Sequence, residues 1–241
     1  MTETKSNEIR INKYIRECGI ASRREADSFI ENGRVKINGI PAVSGQKVLP
    51  GDVVTLDGKE IKPVQKKHVV AFYKPAGVVC TAKDENADVI LDDVFHYPVK
   101  LTYAGRLDKD SEGLLIMTDD GELIDRMMRA RNGHEKEYEV TLRNPVTDDF
   151  IRRFEEGVYI KELDVTTKPC TVKRMGDKKV CIILTQGLNR QIRRTSKILG
   201  NNVVKLKRTR VVNITLGDLK PGEFRELTEE EIGKLRMKLE M

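Results

Sequence analysis

The strongest constraint on this fold is a break at GKEIKPVQKK, Gly58 to Lys67. The stretch is polar and charged and carries Pro63, so it reads as a connection, with the linker over residues 61–67. Different patterns lie on its two sides. At about 150 residues per domain, 241 residues allow one domain or two. The break divides the chain into domains expected at 1–60 and 68–241.

The first part reads as helix, helix, small antiparallel sheet. Ile11, Tyr14, Ile15 and Cys18 have helical spacing, and Gly19 ends the run. Ser22 and Glu25 have capping-box spacing, which predicts a second helix to about Asn32. Asn38-Gly39 signals a hairpin and Pro50-Gly51 another turn. Lys13, Arg23, Arg24, Arg34 and Lys36 are candidate phosphate contacts, which give affinity and register rather than sequence choice. A small capping domain with a mixed surface fits the same pattern.

The second part is mixed. VVAFY, EYEVTL, VCIILTQ and VVNITL are expected as strands, and Leu114 to Met117 is a short apolar run. GELIDRMMRA, Asp148 to Glu156 and Asn189 to Leu199 are expected as helices. Between Gln186 and Arg210 there are eight basic residues and no acidic one. A solvated face normally mixes signs, so this run and the net charge of +6 point toward a polyanionic partner.

Other chemistries find little support. No apolar run approaches the ~20 residues of a membrane span, and MTETKSNEIR has no signal-peptide core, so a cytoplasmic protein is expected. Cys18, Cys80, Cys170 and Cys181 lack metal-ligand spacing and read as free thiols. HEKEY places Tyr138 where a zinc protease has its second histidine, so no metal site is expected. No Walker loop or dinucleotide fingerprint appears, and no cofactor is expected.

GRLDKDSEGLLIMTDDG, Gly105 to Gly121, packs five acidic side chains around one apolar run. Ordinary turn chemistry explains Asp110, Asp119 and Asp120. Asp108 is either another turn residue or a nucleophile.

The whole segment resembles the catalytic Gly-Arg-Leu-Asp-x-x-Ser-x-Gly-Leu-Leu motif of pseudouridine synthases that modify ribosomal RNA. YKPAGVVCT, HEKEYEV, GLNRQIRR and LKRTRVVNITLGDLKPGEFRELTEEE resemble further family motifs in the same order. INKYIRECGIASRREADSFIENGRVKING is similar to the alpha-L RNA-binding module of ribosomal protein S4 and its relatives. HEKEYEVTLRNPVTDDFI and LTQGLNRQIRR are most similar to the F-type branch of large-subunit rRNA enzymes.

The resemblance implies an α+β protein: an S4-like domain followed by a catalytic domain with a mixed, largely antiparallel sheet. It makes Asp108 the nucleophile, in a basic cleft, and Tyr138 the active-site tyrosine. Arg193 is implied to pair with the nucleophile, since an opposing cation favours the ionised carboxylate. Arg106 is implied to fill the place of an extruded base. Ile192 is implied to line the site beneath the base, Lys74 and Pro75 to shape it, and Arg190 and Arg194 to hold RNA. The implied partner is 23S rRNA or an assembling large ribosomal subunit, with tRNA as another candidate, and the implied state is a monomer. Rival readings are the same reaction on 16S rRNA or tRNA, a non-catalytic assembly factor, and a glycosidase, which lacks a nominated second carboxylic acid.

Overall fold

The structure, a computed structural model, describes residues 8–63, 67–81, 88–128 and 133–241, with the side chain of Arg23 outside the description. The chain divides into two compact units, Met1–His68 with Tyr97–Thr102, and Val69–His96 with Tyr103–Met241.

In the first unit, β1 (Ile9–Arg10) leads into α1 (Ile11–Glu17) and then α2 (Arg23–Glu31). The capping box forms: the Ser22 amide donates to the Glu25 carboxylate at 2.7 Å, and the Glu25 amide donates to Ser22 Oγ at 3.4 Å. The strands are β2 (Val35–Ile37), β3 (Ile40–Pro41), β4 (Lys47–Val48), β5 (Val54–Leu56) and β6 (Lys59–Glu60). They pair antiparallel in the order β3-β2-β5-β6, with β1 on β4. Asn38 and Gly39 take φ of 52° and 82°, the two positive values that a twist-matched hairpin turn requires. Ile11, Ile15, Ala26, Val35 and Val54 form the core. Ile61 also packs there and accepts from the Tyr14 hydroxyl at 3.2 Å, so packing reaches into the segment expected as linker.

The second unit opens with β7 (Val69–Lys74), α3 (Leu91–Val94), β8 (Thr102–Ala104), β9 (Glu112–Thr118) and α4 (Gly121–Met128). It continues with β10 (Lys136–Leu142), α5 (Asp148–Glu156), β11 (Tyr159–Ile160) and β12 (Val165–Thr166), the last two joined by a 3₁₀ turn at Lys161–Leu163. After β13 (Thr171–Gly176) and β14 (Lys179–Leu184) come α6 (Gln191–Ile198), β15 (Val203–Val211), β16 (Ile214–Thr215), β17 (Phe224–Glu226) and α7 (Glu229–Lys238).

The main sheet runs β13-β14-β10-β15-β9-β7-β17, with β16 on β15 and β8 on β9. The registers are antiparallel except where β15 meets β9 in parallel, giving the mixed, largely antiparallel sheet expected. One core packs β7 and β9 against α4 and α7 through Ala71, Ile116, Leu123 and Leu235. The other packs β10 and β14 against α5 and α6 through Leu142, Phe150, Phe154, Ile182 and Ile192. The parallel β15–β9 junction lies between the strands of the two cores. No described helix is long and apolar enough to cross a membrane.

One strand reading changes. VVNITL is not one strand: β15 ends at Val211, and a turn through Val212 (φ 56°) leads to β16. Asn213 is the lone turn signal there, since no Gly or Pro is present and Val212 is a poor residue for positive φ. Tertiary bonds support this backbone: the Val212 amide donates to Glu135 O at 2.9 Å, and Arg210 Nη1 donates to Val212 O at 2.7 Å. β15 and α7 had no sequence counterpart, since polar and basic residues mask the alternation of β15. The Arg129-Ala130 end of the expected GELIDRMMRA helix lies outside the described residues.

Candidate active site

The Asp108–Ser111 turn delivers the chain into β9 at its junction with β15. Each of its four carbonyls accepts a different donor. The Ser111 amide closes on Asp108 O at 3.0 Å, and the Gly77 amide donates to Lys109 O at 2.8 Å. Arg193 Nη2 donates to Asp110 O at 2.8 Å, and Lys74 Nζ to Ser111 O at 2.8 Å. The turn is therefore clamped by YKPAG on one side and by α6 on the other. Preorganisation of this kind aims a reacting group without reorganisation during the reaction.

Asp108 has 31% side-chain exposure, and its Oδ2 lies 3.8 Å from Arg190 Nη1. The expected Arg193–Asp108 pair is not formed. Arg193 instead holds the turn backbone, with further bonds to Ser111 Oγ at 3.4 Å and Val203 O at 3.4 Å. Burial lowers the Arg193 pKa, and so does nearby Arg190, while Asp110 and Asp108 oppose the shift. Arg190 reaches Asp108 from a left-handed backbone position, φ 51°, immediately before α6. That conformation also starts the helix at Gln191 rather than Asn189.

Lys74 is fully buried and also donates to Pro75 O at 2.8 Å. Buried there, it has no surface to offer a substrate and supports the turn from beneath. Burial pushes its pKa down to about 8 against the pull of Cys80, Asp108 and Asp110. Ile192 is likewise a core residue, 3% exposed, and underlies the region without surface to offer a base. Arg106 is exposed, next to buried Leu107.

Tyr138, Arg208 and Gly113 align across β10, β15 and β9. Two strand spacings put Tyr138 about 10 Å from the β9 backbone. Its half-buried ring packs on the second core. Gly113 has φ 107°, and a Cβ there would lie 2.3 Å from Arg208 O, so the motif glycine permits the close approach of β9 and β15.

Arg208 corrects the reading of the basic run. It is 3% exposed, donates from Nε to Leu114 O at 2.7 Å and from Nη1 to Arg106 O at 3.5 Å. It shares a strand face with buried Leu206, two residues earlier. Lys205 pairs with Glu112 at 3.0 Å, Lys207 with Glu139 at 3.8 Å, and Arg210 with Glu135 and Glu137 at 3.0 and 3.3 Å. The acids missing along the chain come from neighbouring strands. Arg190, Arg193, Arg194 and Lys197 instead line an open cavity of about 590 Å³. In the other unit, Lys13 is exposed and pairs with Glu17 at 3.6 Å, and Arg24 is exposed. Arg34 is engaged by Asp57 at 2.5 Å and lies over Phe29. The expected contact from Arg23 lies outside the described side chains.

The mixed sheet presents a clamped, partly exposed carboxylate beside arginines, an arrangement suited to an enzyme acting on an anionic substrate. The RNA pseudouridylate synthase family matches residues 68–197, the S4 domain matches 9–54, and the chain belongs to the RNA pseudouridine synthases. It is 48% identical to the dual-specificity RNA pseudouridine synthase RluF of Salmonella typhi, over 92% of this chain and 77% of that one. It is 37% identical to the ribosomal small subunit pseudouridine synthase A of Salmonella typhimurium, over 94% and 100%. A crystal structure of a pseudouridylate synthase superposes with TM-score 0.69 at 32% identity, over 94% of this chain and 99% of that one.

Proposed function

We propose that this pseudouridine synthase isomerises a uridine of 23S rRNA, with Asp108 as nucleophile. The supporting observation is the turn itself. All four of its carbonyls are engaged, while the Asp108 carboxylate remains partly exposed beside Arg190. Arg190 stands 3.8 Å from the carboxylate, and the clamp holds the direction of the turn. The reaction breaks the N1–C1′ bond, turns the base and joins C5 to C1′, with the C5 proton lost and N1 gaining one. Tyr138 packs against the turned base, and exposed Arg106 stacks where the extruded base had been. Lys13, Arg23 and Arg24 hold flanking RNA.

The F-type similarity of His134–Ile151 and Leu184–Arg194, together with the RluF relative, supports the large-subunit target. That relative's dual specificity supports a second RNA, for which tRNA is our candidate. The enzyme works as a cytoplasmic monomer on free rRNA or an assembling subunit. The small-subunit relative supports 16S rRNA as the rival target.

Pseudouridine mapping by carbodiimide labelling and primer extension, on RNA from cells lacking the protein, tests the reading. A 23S site should disappear and return with wild type but not with Asp108→Ala. A missing 16S site would transfer the target. Unchanged rRNA and tRNA maps would leave a binding role.

A further inference from the structure

α6 begins with an unfavourable arrangement. The N-terminus of a helix carries partial positive charge and favours acidic residues. Here the first turn contains no acid, and Arg190, Arg193 and Arg194 surround it. Arg193 is held partly out of solvent, and its Nε is buried without a partner. Lys197 follows one turn later on the same cavity wall. Arg190 is paired outside the cavity wall, with Asp108 at 3.8 Å and Asp110 at 3.5 Å, which leaves the rest of the cluster short of acidic partners.

The acid in this cavity comes from a distant part of the chain. Glu162, on the 3₁₀ turn between β11 and β12, approaches Arg194 Nη1 at 3.7 Å and is itself 64% exposed. Arg194 is oriented from behind by Asn189, through its carbonyl at 3.2 Å and its side-chain oxygen at 3.4 Å. The guanidinium is thus positioned, and the carboxylate facing it is held by little else.

We propose that this cavity receives a phosphodiester of the RNA strand flanking the target uridine, and that Glu162 is a built-in competitor which the phosphate displaces from Arg194. This rests on the RNA-isomerase reading. A phosphate brings several acceptor oxygens to four cations, where Glu162 meets one at the limit of ion-pair distance. The resident carboxylate lowers affinity for any polyanion, and so favours release of RNA after reaction.

The test is fluorescence anisotropy with a labelled oligouridylate, across a salt series, on the full chain. Glu162→Gln should bind about two- to fivefold tighter than wild type, the worth of one exposed ion pair. Lys197→Ala should bind more weakly and lower the slope of log affinity on log salt by about 1. If Glu162→Gln binds equally or more weakly, the competitor role is wrong. If Lys197→Ala leaves affinity and slope unchanged, the cavity takes no phosphate. Those failures, with wild-type pseudouridine formation intact, would overturn this inference alone. Absence of pseudouridine formation on any rRNA or tRNA would overturn the functional reading beneath it.

Discussion

Arg193 donates to the carbonyl of Asp110 at 2.8 Å, while the Asp108 carboxylate two residues earlier faces Arg190 at 3.8 Å. The two arginines therefore divide the work, one holding backbone and the other facing charge. A lysine at 193 cannot span Asp110 O, Ser111 Oγ and Val203 O. Arg193→Lys should lower kcat by on the order of 10²-fold, the cost of a misplaced reacting group. Arg190→Gln loses two partly exposed ion pairs, to Asp108 at 3.8 Å and Asp110 at 3.5 Å, so the loss should stay below about tenfold. Steady-state kinetics with a pseudouridine readout decides, and the opposite ranking would reverse the two roles.

Asp108→Asn keeps the shape of the side chain and every backbone bond of the turn. Turnover should fall by on the order of 10⁴-fold, as when a covalent catalyst loses its nucleophile. The urea midpoint should hardly move, and RNA binding should not weaken. Substantial residual activity would remove Asp108 from the nucleophile's place.

Gly113→Ala tests the strand junction. The added Cβ meets Arg208 backbone at 2.3 Å, at a φ that alanine disfavours. We expect destabilisation of about 2–4 kcal/mol, combining strain with overpacking. Urea unfolding followed by circular dichroism measures it, and a loss below about 0.5 kcal/mol, the usual surface range, would show that the junction yields.

Lys74 predicts a pH signature. Its pKa in the fold is about 8, below the ordinary 10.5. Below about pH 8 the ammonium is charged in both states, and burying it costs stability. Between about 8 and 10.5 the unfolded chain holds the proton and the fold does not, so stability rises with pH and then levels. The gain is at most about 3 kcal/mol. A neutral amine still has two N–H groups for Pro75 O and Ser111 O. Lys74→Met should lack the rise and lose stability throughout, because both carbonyls lose their donor. Paired urea titrations at about pH 8 and pH 10 give the difference, and parallel pH curves for the two proteins would refute the buried charge.

Local chemistry determined much of this protein. Ser22 and Glu25 specified a helix start, and Asn38-Gly39 a hairpin, because capping and turn geometry depend on neighbours a few residues apart. Apolar spacing located α5, and the ordered motifs from YKPAG to GLNRQIRR identified the reaction. Cross-strand and loop-to-helix relationships were decided by the tertiary structure. Val203–Val211 counts as a basic tract along the chain, yet its cations meet Glu112, Glu135, Glu137 and Glu139 from adjacent strands. Arg208 points into the interior, and Lys74 disappears beneath the turn it supports. Glu162 enters a cavity built by residues about thirty positions later. Those partners are far apart in sequence, and charge pairing acts through space, so only the folded sheet brings each one to its place.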